Sequence, residues 1–171
     1  MRRICILEND TISQRIVPGL PRFATLYERL LHEVEATEAD LRRDLFGENP
    51  RCFCDIAEAP GGAPAGFALW FYNYSTFRGR AGIYLEDLFV KPDARGLGAG
   101  KALRRRLAQR CVEADLGRLE WAVLNWNAPS IAFYDSLGAS AKTDWTVRRL
   151  DGEALADLAV GLDLPVLLVV G

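Results

Sequence analysis

Three strand-like segments follow one another between residues 52 and 90 with no helix between them, and nothing else in the chain constrains its fold as strongly. Residues 52–59 alternate and are rich in strand formers, residues 65–74 are aromatic, and residues 83–90 repeat the pattern. Pro60-Gly61-Gly62-Ala63-Pro64 forms the first turn, and Gly79 to Gly82 the second reversal. Connections this short join antiparallel neighbours, because a parallel pair needs a crossover of a dozen or more residues. After Pro92 the period becomes helical: Leu103, Leu107 and Cys111 share a face with Val112. Residues 119–124 then read as a short apolar strand. A strand, a helix and a second strand in that order place residues 119–124 beside residues 83–90 and parallel to them. Pro129 opens another helix, carrying Ile131, Phe133, Tyr134 and Leu137, and Gly138 closes it. Residues 145–150 read as a final strand. The class is α+β, a mixed and mostly antiparallel sheet with flanking helices.

The flanks add less. Residues 4–7 suit a short first strand. Phe23, Leu26, Tyr27, Leu30, Leu31 and Val34 fall at helical spacing. Thr37 followed by Asp40 reads as an N-cap with its acid at the third position, and Gly47 is placed to stop that helix. Residues 152–162 suit a short helix. The apolar tail, residues 164–171, has no assigned role: an edge strand, a packing surface for a second subunit and a frayed end all fit. No linker divides the chain, so residues 1–171 are read as a single domain.

Composition closes several routes. Twenty-one basic against 23 acidic residues leave a charge of −2, with no excess to neutralise a nucleic-acid backbone. The single histidine, His32, excludes a His-clustered metal site and makes a Ser/His/Asp or Cys/His machine depend on one residue. Cys52 and Cys54 form CxC rather than CxxC, and with Cys5 and Cys111 match no zinc spacing. On a strand Cys52 and Cys54 face the same side, as reduced thiols. No metal is expected. Arg2 and Arg3 precede only four apolar residues, so no secretory signal is read. Residues 166–170 are far too short for a membrane span, which leaves no membrane partner and a cytoplasmic location.

The run Arg95-Gly96-Leu97-Gly98-Ala99-Gly100-Lys101 stands between the third strand and the following helix. A glycine turn leading into a helix N-terminus offers backbone N–H groups and the positive end of the helix dipole to an anion. Arg95 and Lys101 add charge. A Walker A loop needs Gly at Arg95 and Ser or Thr at Ala102, and both fail. A dinucleotide GxGxxG fails at Leu103. The remaining pattern is R-x-x-G-x-G, on Arg95, Gly98 and Gly100.

That signature, with residues 83–90 (IYLEDLFV), Trp126 to Tyr134 (WNAPSIAFY) and Leu137-Gly138-Ala139, resembles the GNAT acetyltransferases. Within them it is most similar to the diamine (spermidine/spermine) and thialysine N-acetyltransferase branch, best over residues 65–139. The resemblance implies a GNAT sheet whose parallel pair splays apart to admit acetyl-CoA. It implies that the backbone of Leu88, Phe89 and Val90 pairs with the pantetheine arm, with an oxyanion donor near Leu88. Gly96, Leu97, Gly98, Ala99, Gly100 and Lys101, with Arg95, would hold the pyrophosphate, and Asn127, Ala128, Pro129 and Ser130 the other side of the cofactor. It implies Glu86 as base and Tyr134 as the acid that protonates the leaving thiolate. Glu86 lies two residues before Leu88, so on an unbroken strand their side chains share a face. Tyr27, Glu28, Glu86, Glu120, Trp121 and Ala122 would surround the amine, with Asp144 as a further candidate in the stretch 140–145, which is shorter than in the vertebrate diamine enzymes. The implied reaction is acetyl transfer to a primary amine of a small molecule by direct attack in a ternary complex. A protein or peptide acetyltransferase and a noncatalytic acyl-CoA-binding module are the alternatives. Relatives of this kind are commonly homodimers.

Overall fold

The computed structural model describes residues 35–160 and the backbone of a short strand at residues 5–7. The helix expected from Phe23, with Tyr27 and Glu28, and the tail from residue 161 lie outside the described residues. The described residues fall into two compact units, which divide along the chain between Leu124 and Asn125.

The first unit is a five-stranded sheet in the order β1 (Cys5–Leu7), β2 (Phe53–Glu58), β3 (Pro64–Ser75), β4 (Arg80–Val90), β5 (Leu119–Trp121). The first three pairings are antiparallel, and β4 with β5 is parallel. This is the meander and crossover that the connection lengths predict. Helices α1 (Glu38–Phe46) and α2 (Ala99–Glu113) cover opposite faces of the sheet. The two-residue strand period explains the division. Cys54 and Ile56 of β2 pack with Leu45 of α1, and Cys52 joins that layer. Ala57, Trp70, Ile83 and Leu85 pack with Leu103, Leu107 and Cys111 of α2. Burying Leu103 and Leu107 completely contributes about 1.5–3 kcal/mol each. Val112, expected on that face, is exposed, because it stands one position round the helix from Cys111.

A charge pair lies within the α2 layer. Asp55 of β2 is buried, and Arg110 of α2 holds it at 3.1 Å with its guanidinium 5.0 Å above the Trp70 ring. At the start of α1, the Asp40 N–H donates to Thr37 Oγ1 at 3.2 Å and the Thr37 N–H to the Asp40 carboxylate at 3.0 Å. That is the reciprocal cap read from Thr37 and Asp40.

Several expectations are corrected. The second reversal occupies residues 76–79, and Gly82 lies inside β4. The strand expected over 119–124 stops at Trp121, where its pairing with β4 stops at Leu85. A single 3₁₀ turn, Pro92–Ala94, stands between β4 and the glycine run.

The second unit contains α3 (Ala128–Asp135) and α4 (Gly152–Val160). Pro129 sits in the first turn of α3, where its missing N–H costs nothing. Leu137 and Gly138 lie beyond the helix end, Gly138 at φ +79°. Residues 145–150 are irregular and exposed rather than a strand. Their pattern is strand-like, but no described strand of this unit offers an edge for pairing, and isolated strands are not stable. Among the described residues no helix is long and apolar enough to cross a membrane.

Candidate active site

Two neighbouring breaks in regular pairing shape the C-terminal half of β4. The first is on its β3 side. Trp70 faces Leu85 and Leu69 faces Asp87, so Glu86 is an extra residue with no β3 partner. This is a β-bulge, which bends and twists its strand. Leu85 and Leu88, three apart, both pack in the α2 layer. The two-residue period therefore does not run through Glu86, and alternation alone no longer puts Glu86 and Leu88 on one face. The second break is on the β5 side. Ile83, Tyr84 and Leu85 pair with Leu119, Glu120 and Trp121, and the ladder then ends. Leu88, Phe89 and Val90 continue along β3, opposite Ala68, Phe67 and Gly66. On their other edge β5 does not run alongside them. A strand edge that outruns its neighbour is where a further strand can add.

The glycine run lies against that edge. A side chain at Gly100 would sit 3.4 Å from Val90 Cγ2 and 3.7 Å from Leu88 Cδ2. Gly96 and Gly98 hold φ at +76° and +88°, the left-handed region that other L-residues rarely adopt, and open space lies above both. Gly98 is the N-cap of α2 and supplies no side-chain cap. The first helical bond runs from the Ala102 N–H to the Gly98 carbonyl at 2.9 Å. The N–H groups of Ala99, Gly100 and Lys101 thus belong to the unpaired first turn. Arg95 is exposed, and its Nε donates to the Val90 carbonyl at 3.3 Å, which ties the turn to the strand end. Leu97 and Lys101 are exposed and Ala99 is buried. A backbone cradle with no Cβ above it, a positive helix end and two cations suit a diphosphate.

Glu86 is exposed beside the bulge. Tyr84 stacks on Phe71 with ring centroids 5.2 Å apart. Burial first, then the charges of Glu86 and Glu120, push the Tyr84 phenol above its usual range, so it stays protonated at neutral pH. Trp121 is partly buried against the α2 layer, and Ala122 is exposed. Glu120 is already engaged: Asn73 Nδ2 donates to Oε2 at 2.7 Å, and Arg118 Nε lies 2.8 Å from the same oxygen. Tyr84, Asn73 and Arg118 are absent from the sequence-based candidates. Tyr84 could have been found from its place two residues before Glu86.

In the second unit, Asn127 is buried and caps α3, its Oδ1 accepting from the Ser130 N–H at 3.3 Å. Ala128 and Pro129 form the exposed first turn. Tyr134 is half-buried on the following turn, its ring 6.0 Å from that of Phe133. Asp144 is exposed in the irregular segment.

Cys52, Cys54 and Cys111 are free thiols, and burial pushes all three above the ordinary thiol range. None of them offers a thiolate nucleophile at neutral pH. No group of three His, Cys, Asp or Glu side chains gathers as a metal site among the described residues.

The chain is similar to proteins already known. Residues 20–139 match the model of the acetyltransferase (GNAT) family. The bovine (Bos taurus) thialysine N-epsilon-acetyltransferase is 39% identical, over 78% of this chain and 84% of that one. An L-ornithine N5-acetyltransferase of Arabidopsis thaliana is 42% identical over 53% of this chain and 40% of its own. An integron cassette protein from the mobile metagenome of V. cholerae superposes with a TM-score of 0.72 at 26% identity, covering 93% of this chain and 98% of that one.

Proposed function

Since the chain belongs to the acetyltransferase (GNAT) family, we propose that it moves the acetyl group of acetyl-CoA to the primary amine of a small molecule. The amine class is that of diamines, thialysine or amino-acid-like compounds, as the names of the similar enzymes suggest. The observation that carries the reading is the pair of left-handed glycines leading into a helix start without a side-chain cap, beside the end of β4. In this reading the N–H groups of Gly96 to Lys101, with Arg95, hold the diphosphate. The backbone of Leu88, Phe89 and Val90 pairs with the pantetheine arm by strand addition. Asn127, Ala128, Pro129 and Ser130 supply further cofactor contacts. Acetyl-CoA supplies an activated thioester.

The protein must supply the proton transfers. An alkyl ammonium of pKa near 10.4 leaves fewer than about one amine in a thousand neutral at pH 7. Glu86, exposed at the bulge, takes the ammonium proton directly or through a water. The amine nitrogen then bonds to the thioester carbonyl carbon as the C–S bond breaks, and the nitrogen sheds its second proton through water, which restores the Tyr134 phenol. A backbone N–H near Leu88 stabilises the charge on the carbonyl oxygen. Tyr134 gives its hydroxyl proton to the departing thiolate. Direct transfer is favoured over a cysteine-bound acetyl because burial keeps the described thiols protonated. A homodimer and a cytoplasmic location belong to the same proposal; light scattering tests the first.

The test is coenzyme A release across a panel of diamines, thialysine, ornithine, lysine and peptides. Turnover on a small amine with little on peptides is the expected result. Tight binding of acetyl-CoA without turnover on any amine would overturn the catalytic reading. Tyr134→Phe should lower kcat by about a hundredfold with coenzyme A affinity intact. Unchanged transfer across pH would remove Tyr134 from the acid role.

A further inference from the structure

We propose that Asn73, Gly82, Arg118 and Glu120 form a clasp that sets the opening between β4 and β5, which makes Glu120 a positioning residue rather than a contact for the amine. This rests on the reading that acetyl-CoA enters where those strands part.

The need for such a device follows from the shortness of β5. It holds β4 through three residue pairs, and the residues just before it add two bonds, from the Ile83 N–H to the Arg118 carbonyl at 3.0 Å and from the Gly117 N–H to the Ala81 carbonyl at 2.8 Å. So short a ladder specifies register weakly, and a slip of one residue would turn Leu119 and Trp121 out of the α2 layer. The side chains of the opposite face prevent that slip. Across the sheet, Asn73 of β3 faces Gly82 of β4, and Phe71 faces Tyr84, which faces Glu120 of β5. Gly82 leaves a gap in this surface. A Cβ there would come 2.6 Å from Arg118 Cγ and 2.7 Å from Asn73 Oδ1. The arginine stem crosses β4 through the gap, and its Nη2 donates to the Tyr74 carbonyl of β3 at 3.1 Å. Asn73 Nδ2 and Arg118 Nε meet Glu120 Oε2 at 2.7 and 2.8 Å. Side chains thus bind β5 over β4 to β3, one pair before the ladder ends and two residues before the bulge at Glu86. Gly82 is therefore in β4 for the room it leaves. Glu120, matched by a cation and an amide donor, presents no uncompensated charge to an incoming ammonium.

The test measures coenzyme A binding by calorimetry and steady-state kinetics for the full chain and for Asn73→Ala, Glu120→Gln and Gly82→Ala. The clasp predicts that the Kd for coenzyme A and the KM for acetyl-CoA rise on the order of tenfold, as a misplaced wall of the opening requires. The KM for the amine at saturating acetyl-CoA stays unchanged. Asn73→Ala and Glu120→Gln combined should cost little more than either alone, since both undo one unit. If the folded variants lose thermal stability but keep the wild-type Kd, the residues merely brace the sheet and the proposal is wrong. A raised amine KM with unchanged coenzyme A affinity in Glu120→Gln overturns it in the other direction. Should Gly82→Ala not fold, the two polar variants decide. Absence of coenzyme A binding by the wild-type protein would instead bring down the functional reading itself, and the clasp with it.

Discussion

Gly98 holds φ at +88° at the N-cap of α2, with open space where a side chain would stand. Gly98→Ala therefore meets no neighbour. It bears only the left-handed backbone penalty, about 1–2 kcal/mol, read as a modest fall in melting temperature. If the cradle takes a diphosphate, the added methyl lies where the ligand must approach, and coenzyme A affinity should fall at least about tenfold. Glu86→Gln separates chemistry from binding. It keeps size and polarity but removes the proton acceptor, so kcat should drop about a hundredfold in single-turnover assays while coenzyme A binds as before. Asp40 gives a prediction in stability. Hydrogen bonds from the Thr37 side chain and backbone, then from Arg43, hold its carboxyl below the usual 3.8. A carboxyl depressed in the folded state stabilises the protein above its unfolded pKa and loses that contribution as pH falls through the folded value. The stability gap between wild type and Asp40→Asn, from urea titrations, should thus be full near neutrality and close below about pH 4.

At the scale of elements, the legible features are those that local chemistry determines. Three strands show in the period of residues 52–90, the parallel crossover in the helix before Leu119, and the α1 cap in Thr37 and Asp40. The glycine run is legible because left-handed backbone needs residues such as Gly96 and Gly98. What long-range pairing determines is not legible. Glu86 carries no mark of being the inserted residue of a bulge, and the end of β5 at Trp121 depends on β4 rather than on residues 122–124. Gly82 reads as a turn residue because composition cannot distinguish a glycine needed for φ from one needed for space. The pattern at residues 145–150 alternates without an edge to join. The pair joining β2 to α2 belongs to this scale too. Asp55 is hidden from water, and Arg110 answers its charge from the helix. Asp55→Ala removes the buried carboxylate that Arg110 faces over Trp70 and should cost about 3 kcal/mol, measured by chemical denaturation. Arg110→Met should cost a similar amount, because it takes the cation away from a buried carboxylate.

For the whole molecule, the proposed site would link ligand and fold through the β4 edge that outruns β5. Coenzyme A adding itself to that edge binds the folded chain and not the unfolded one, so it must raise stability by mass action. At a hundredfold excess over Kd the gain is about 2.7 kcal/mol. For a chain of 171 residues that corresponds to a rise of roughly 5–10 °C in melting temperature. The size of the shift matters less than its dependence on sequence. Gly98→Ala should lower both the unliganded melting temperature and the shift at fixed ligand, because it strains the backbone and obstructs the cradle. Leu103→Ala, which opens a cavity in the α2 layer beneath the site, should lower the unliganded melting temperature further, by about 3 kcal/mol of stability. Its ligand-induced shift should nevertheless stay near the wild-type value, since the turn and the β4 edge keep their backbone. Differential scanning fluorimetry over a coenzyme A series resolves the two patterns. Equal loss of the ligand-induced shift in both variants would mean that the site has no rigidity of its own and follows global stability. A shift retained in Gly98→Ala would place the diphosphate somewhere other than the glycine turn.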